Sequence, residues 1–176
     1  MLLHTGVSIG FELPRYTVNE GDGSIEVCAI LTSGSLERTV TFTLSTSDDS
    51  ATSTDPADFS AVGVELLFNE TTSRACADIP ITDDNRVELA ENFTVDIRSD
   101  DPDVDFAPPT STVTILDNDR VVIGFEMEQY QGEEGEMVEV CAVIRNGSLE
   151  TDVQVQIFTE DLSAKGSISA ALNFMS

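Results

Sequence analysis

The sequence predicts an all-β chain folded as an immunoglobulin-like sandwich of two packed sheets, and three observations carry that prediction. Apolar and polar residues alternate with period two along several short runs. No window sustains a helical period of 3.6 residues. The chain also repeats itself, and the repeating unit has the size of an immunoglobulin-like sandwich.

The strands follow in order. Ile25, Val27, Ala29 and Leu31 share one face of the first run, and Val40, Phe42 and Leu44 share one face of the next. Ala75, Ala77, Ile79 and Ile81 form a third set, Phe93, Val95 and Ile97 a fourth, and Val113 with Ile115 a fifth. The residues between them are mostly Thr, Ser, Glu and Asp, as expected of strands with one face in a core and one in water. Turns are expected at Gly21-Asp22-Gly23, Ser33-Gly34-Ser35, Asp48-Asp49-Ser50 and Pro108-Pro109. Packing two sheets face to face buries every apolar set at once.

The segment IGFELPRYTVNEGDGSIEVCAI at 9–30 returns as IGFEMEQYQGEEGEMVEVCAV at 123–143. Gly10 matches Gly124, Tyr16 matches Tyr130, and Cys28 matches Cys141. Gly34-Ser35-Leu36 then matches Gly147-Ser148-Leu149, and Asp48 matches Asp161. One unit is therefore expected over 7–119, and 120–176 holds only the first half of a second. Asp119 runs through Arg120 directly into Val121-Val122-Ile123, so no flexible linker is expected between them. Without later strands, the second unit is expected to expose sheet edges and an apolar face, which favours partial disorder, aggregation or strand exchange.

Composition excludes several functions. With 33 acidic against 8 basic residues and a formal net charge of -25, the chain repels nucleic acid and calls for cations. Hydrophobic residues make up 40% of the chain, enough for a core. No run reaches the roughly 18 to 20 apolar residues of a membrane span, and Met1-Leu2-Leu3 is too short for a signal-peptide core. A piece of a larger protein, with no membrane insertion of its own, is the expectation. Catalysis is not expected: there is no Trp, the single His is His4, and no phosphate-binding Gly-rich loop or Ser-His-Asp order occurs. The three cysteines lack zinc-ligand spacing.

Cys28 and Cys76 fall on the outward phase of their runs. In a sandwich of this kind these runs are the second and fifth strands, which are antiparallel neighbours, and directly opposed residues there lie within disulfide range. A disulfide implies an oxidising, extracellular setting; the alternative is a pair of free thiols on an intracellular sheet. Sequons at Asn69, Asn92 and Asn146 agree with the first setting, and Asn92 is the least suited acceptor because it adjoins the acidic cluster described next.

The chemistry-bearing pattern is acidic. TDDNRVELAENF at 82–93 places Asp83, Asp84, Glu88 and Glu91 before a strand, and Asp117-Asn118-Asp119 closes a later one. A lone acidic turn residue is usually just a solvated turn former. Several such segments together suit a hard cation, since Ca²⁺ takes about six to eight oxygen ligands.

These residues, with Asn19-Glu20-Gly21, Ser47-Asp48-Asp49, Asp58-Phe59 and Ile115-Leu116-Asp117-Asn118-Asp119, resemble the Calx-beta domain, a repeat of sodium/calcium exchanger loops and of extracellular adhesion and matrix proteins. The resemblance spans 7–119 and continues into 120–176. It implies a seven-stranded sandwich whose loops at one end bind several Ca²⁺ ions. Glu20, Asp48, Asp83, Asp84, Glu88, Glu91, Asp117 and Asp119 match the acidic ligand positions, and the Arg86 carbonyl matches another. Asn118 departs from an all-acidic triplet, which removes one charge. In the second unit only Glu134 and Asp161 match. The implied function is a calcium-binding repeat of an extracellular or cell-surface adhesion, matrix or cell-communication protein, with Ca²⁺ ordering the loops and stiffening the junction to neighbouring repeats. A cytoplasmic calcium sensor of an exchanger and a structural spacer with weak or no calcium binding are the alternatives.

Overall fold

A computed structural model describes residues 6–150, 152–164 and 169–174. His4 lies outside the described residues. The strands run, in chain order, β1 (Val7–Phe11), β2 (Arg15–Asn19), β3 (Ser24–Ser33), β4 (Val40–Asp48), β5 (Gly63–Phe68), β6 (Arg74–Pro80), β7 (Arg86–Val87), β8 (Glu91–Arg98), β9 (Val104–Phe106) and β10 (Thr110–Leu116). They continue with β11 (Val122–Phe125), β12 (Ala142–Asn146), β13 (Ser148–Leu149), β14 (Val153–Phe158) and β15 (Ser169–Phe174). The chain divides into two compact units, Met1–Asp83 with Ala90–Asp117, and Asp84–Leu89 with Asn118–Ser176.

The first unit is the expected sandwich. One sheet has the order β6-β3-β1-β9 and the other β2-β10-β8-β4-β5. Nine strands make seven in the immunoglobulin sense, because the first and last are each broken and change sheets. β1 pairs with β3 while β2 pairs in parallel with β10; likewise β9 pairs with β1 while β10 joins β8. Where β1 passes β9, the chains come very close. A Cβ on Gly10 would lie against the Ala107 carbonyl, and the Ala107 N–H donates to the Ile9 carbonyl at 2.9 Å, so only glycine fits there.

The alternating sets point inward as expected. Val27, Ala29, Phe42, Leu44, Ile79, Phe93, Val95, Ile97 and Val113 are buried between the sheets, joined by Ile9, Phe59 and Phe68. Phe42 and Phe68 meet edge to face at 5.0 Å, and Phe59 stacks on Phe93 at 4.1 Å.

Cys28 and Cys76 stand directly opposite on β3 and β6 and form a disulfide with 4.0 Å between their Cα atoms. Their outward phase does not leave both in water, since Cys28 is only 2% exposed. On the same outer surface Arg74 pairs with Glu12 at 2.9 Å and with Glu26 at 3.3 Å. A second cluster joins Arg38 to Asp101 at 2.5 Å and to Asp103 at 3.2 Å.

Hydrogen bonds from Arg38 and from the Asp103 backbone N–H hold the Asp101 carboxyl below its usual range. A lowered carboxylate adds stability above its ordinary value of about 4 and loses that contribution as pH falls through the lowered one. Asp101→Asn is therefore expected to lower the melting temperature slightly at pH 7. The gap to the wild type should close as a pH series descends below about 4.

The second unit repeats the start of the first. β11 pairs with β12 so that Phe125 opposes Ala142, as Phe11 opposes Ala29. β14 pairs with β15 so that Val153 opposes Phe174, as Val40 opposes Phe68. The Tyr130 hydroxyl donates to the Cys141 carbonyl and accepts from the Cys141 and Met127 N–H groups, as Tyr16 does with Cys28 and Leu13. Met137, Phe158 and Leu162 are largely exposed, matching the expected uncovered apolar surface. Cys141 is a free thiol, and burial together with Glu139 and Glu126 pushes its pKa up.

Candidate metal centre

The parallel pairing of β2 with β10 ends where Asn19 meets Leu116. The next residues, Glu20 and Asp117, therefore leave the sheet side by side, with carboxylate oxygens within 4.8 Å. Glu20 opens a tight helical turn, Glu20–Asp22, whose Asp22 carboxylate accepts from the Asn19 N–H at 3.0 Å. Gly23, at φ +79°, closes that turn in a conformation that favours glycine. Glu20 is 4% exposed, and Asp117 is half-buried.

A second pair forms at the start of β8. The Ala51 N–H donates to the Asn92 carbonyl at 2.8 Å, and the Asn92 N–H donates to the Ser50 hydroxyl at 2.7 Å, tying the loop after β4 to that strand. Asp58 is then fixed within the loop, its carboxylate accepting from the Thr52 N–H at 2.6 Å. Phe59 anchors the loop on Phe93. As a result Asp58 and Glu91 have carboxylate oxygens within 4.8 Å of each other, both residues half-buried.

The other acidic positions sit differently. Asp48 ends β4, is exposed, and its Oδ1 accepts from the Ser53 N–H at 3.0 Å. Asp83 is exposed. Among the described residues, Asp48, Asp83 and Asp84 join no group of three close metal-ligating side chains.

In the second unit, the Asp84 Oδ1 accepts from the Arg86 N–H at 2.7 Å, which shapes the entry to β7. β7 pairs in parallel with β13, with the Asn85 and Val87 carbonyls accepting from Ser148 and Glu150. Carbonyls alternate along a strand, so the Arg86 carbonyl points away from β13 and keeps its lone pairs off that ladder. The Arg86 guanidinium meets Glu150 at 2.5 Å and Glu88 at 3.7 Å. Asn118 is exposed and Asp119 half-buried, two residues along the chain from Asp117.

Chemically, this is an arrangement for a hard cation. Two carboxylates about 4 Å apart repel by about 4 kcal/mol at an effective dielectric of about 20, and burial of one of them makes solvent screening less effective. A divalent cation turns that repulsion into attraction and takes carboxylate and carbonyl oxygens of the kind present. Asp58 was not among the residues singled out as ligands from sequence. The only sequence signal for it is the Asp58-Phe59 pair, because its approach to Glu91 depends on the loop packing.

The Calx-beta domain family matches residues 4–119 and, a second time, residues 117–168. Among similar solved structures, the apo-form Calx CBD1 domain is 28% identical with a TM-score of 0.60, over 65% of this chain and 99% of that one. CBD12 from CALX1.2 is 24% identical with a TM-score of 0.60, over 96% of this chain and 70% of that one. The calcium binding domain CBD12 of CALX1.1 is 24% identical with a TM-score of 0.58, over 95% and 70%. These last two show the shared fold. No curated protein gives a match. The family is one of binding and regulatory domains rather than catalysts. With both matches covering most of its length, this chain belongs to the Calx-beta domain family.

Proposed function

We propose that the chain is a calcium-binding segment of an extracellular or cell-surface adhesion or matrix protein, made of one repeat over 7–119 and the start of another over 120–176. The observation that carries the calcium-binding reading is the closeness of Glu20 to Asp117, just past the ends of the paired strands β2 and β10, and of Asp58, in the loop after β4, to Glu91 at the start of β8. Glu20, Asp48, Asp83, Asp84, Glu88, Glu91, Asp117, Asp119 and the Arg86 carbonyl supply the oxygens for several Ca²⁺ ions, with Asp58 added. Binding relieves carboxylate repulsion and so orders the loops. Asp117 and Asp119 precede the second repeat directly in sequence, so ions held there stiffen the chain where repeats join. An unchanged small-angle scattering profile on chelation would count against that stiffening.

The disulfide supports an oxidising setting. The 28% identity with Calx CBD1 favours the second reading, a cytoplasmic calcium sensor of a transporter. Calorimetric titration tests the calcium site itself. Glu20→Gln and Glu91→Gln are each expected to weaken or remove at least one calcium-binding event while leaving the folded circular-dichroism spectrum intact. Titrations of wild type and both variants that release no heat above dilution would refute the reading.

A further inference from the structure

We propose that Asn69 is an N-glycosylation site, occupied in preference to the other two sequons. It rests on the extracellular reading above and is independent of calcium binding. Asn69-Glu70-Thr71 forms the tight connection between β5 and β6, closed by reciprocal backbone hydrogen bonds between Asn69 and Thr72 at 3.0 and 3.2 Å. Three donors converge on the Asn69 Oδ1: the Thr71 N–H, the Thr71 hydroxyl and the Thr72 N–H, each at 2.9 Å. Their convergence identifies the oxygen, and the amide Nδ2, the atom that carries a sugar, makes none of these bonds.

The surroundings have room for that sugar. A groove of about 300 Å³ is lined by Arg38, Thr39, Asn69, Glu70 and Thr71. Arg38 is held in place by Asp101 through two hydrogen bonds and by Asp103 through a third, so one wall of the groove is fixed beforehand. The lining is polar, suited to the hydroxyl and acetamido groups of N-acetylglucosamine.

The other sequons are placed less well. Asn92 lies within β8, paired on one side with β10, and its Oδ1 accepts from the Thr114 hydroxyl at 2.7 Å. The Asn92 backbone N–H and C=O are also used by the loop after β4. Asn146 ends β12 opposite Val122, and the Ser148 of its sequon is a ladder residue of β13.

In the reaction, Asn69 Nδ2 attacks C1 of the first N-acetylglucosamine of a lipid-pyrophosphate-linked oligosaccharide. The N–C1 bond forms and the C1–O bond to phosphate breaks. The lipid pyrophosphate leaves with its electron pair, and a base of the oligosaccharide transferase takes one amide proton. No redox change is involved.

The test is translation of the whole chain, behind an appended secretory signal, into microsomes, followed by peptide N-glycosidase digestion and gel mobility. This places the chain in the lumen whatever its natural compartment, so failure here is separable from failure of the extracellular reading, which cell fractionation of the native protein decides. The wild type is expected to carry a glycan that Asn69→Gln and Thr71→Ala each remove, and that Thr71→Ser and Asn92→Gln retain. An unglycosylated wild type, or a glycan carried on Asn92 or Asn146 with Asn69 unmodified, overturns the proposal. Because mobility is read on denatured chains, the result does not depend on whether each variant folds.

Discussion

Phe93→Ala is expected to destabilise the first unit by about 3 to 5 kcal/mol, the range for removing a buried aromatic ring and leaving a cavity. Phe93 is fully buried on β8 and stacks on Phe59 with ring centroids 4.1 Å apart. Phe59 in turn belongs to the loop that carries Asp58, and its backbone forms an isolated antiparallel bridge with Ile81. The substitution therefore reaches the metal centre as well as the core, since the apolar contact that seats Asp58 beside Glu91 is lost. Phe93→Leu keeps more volume and should cost clearly less. Urea unfolding of both variants reads the difference, and a loss below about 1 kcal/mol for alanine would show that the site collapses around the cavity.

Replacing both Cys28 and Cys76 by alanine should cost about 4 kcal/mol on the chain-entropy account of a closed loop of this length. The bond joins residues separated by 48 positions, so the unfolded chain loses much freedom when it is intact. Direct opposition on β3 and β6 means the folded backbone already brings the two residues together. Reductant should therefore lower the wild-type unfolding midpoint to that of the double variant and leave the variant unmoved. A wild type indifferent to reductant would show that the bond contributes nothing to stability.

Strand positions were legible because burial in a two-sheet core imposes a period of two, and Phe42, Val95 and Val113 announce it individually. β5 was harder to see. Its run GVELLF carries Leu67 outward at 48% exposure beside inward Leu66 and Phe68, which blurs the alternation. The breaks between β1 and β2 and between β9 and β10 left no periodic trace either, because the choice of sheet is made by which edge is open, at close approaches such as Gly10 to Ala107.

At the metal centre, Glu20 and Asp117 were recognisable by resemblance, and the register of β2 with β10 explains their proximity. Asp58 depended on a loop folding back through Thr52 and Phe59, a tertiary event that local spacing does not encode. The opposite holds for Asp48. Its acidic turn reads as a ligand in sequence, while in the fold its carboxylate also closes its own turn by accepting from Ser53.

Calcium binding is tested most directly by thermal unfolding of the chain in excess Ca²⁺, in excess Mg²⁺ and in chelator at one ionic strength. With Ca²⁺ at about 100 times its dissociation constant, each site preferring the folded state adds about 2.7 kcal/mol. The melting temperature should therefore rise by several degrees. Mg²⁺ should do much less, because it demands a tighter octahedral shell and gives up water reluctantly. Three superimposed curves would contradict the account and leave a sandwich whose acidic end serves only as a solvated surface.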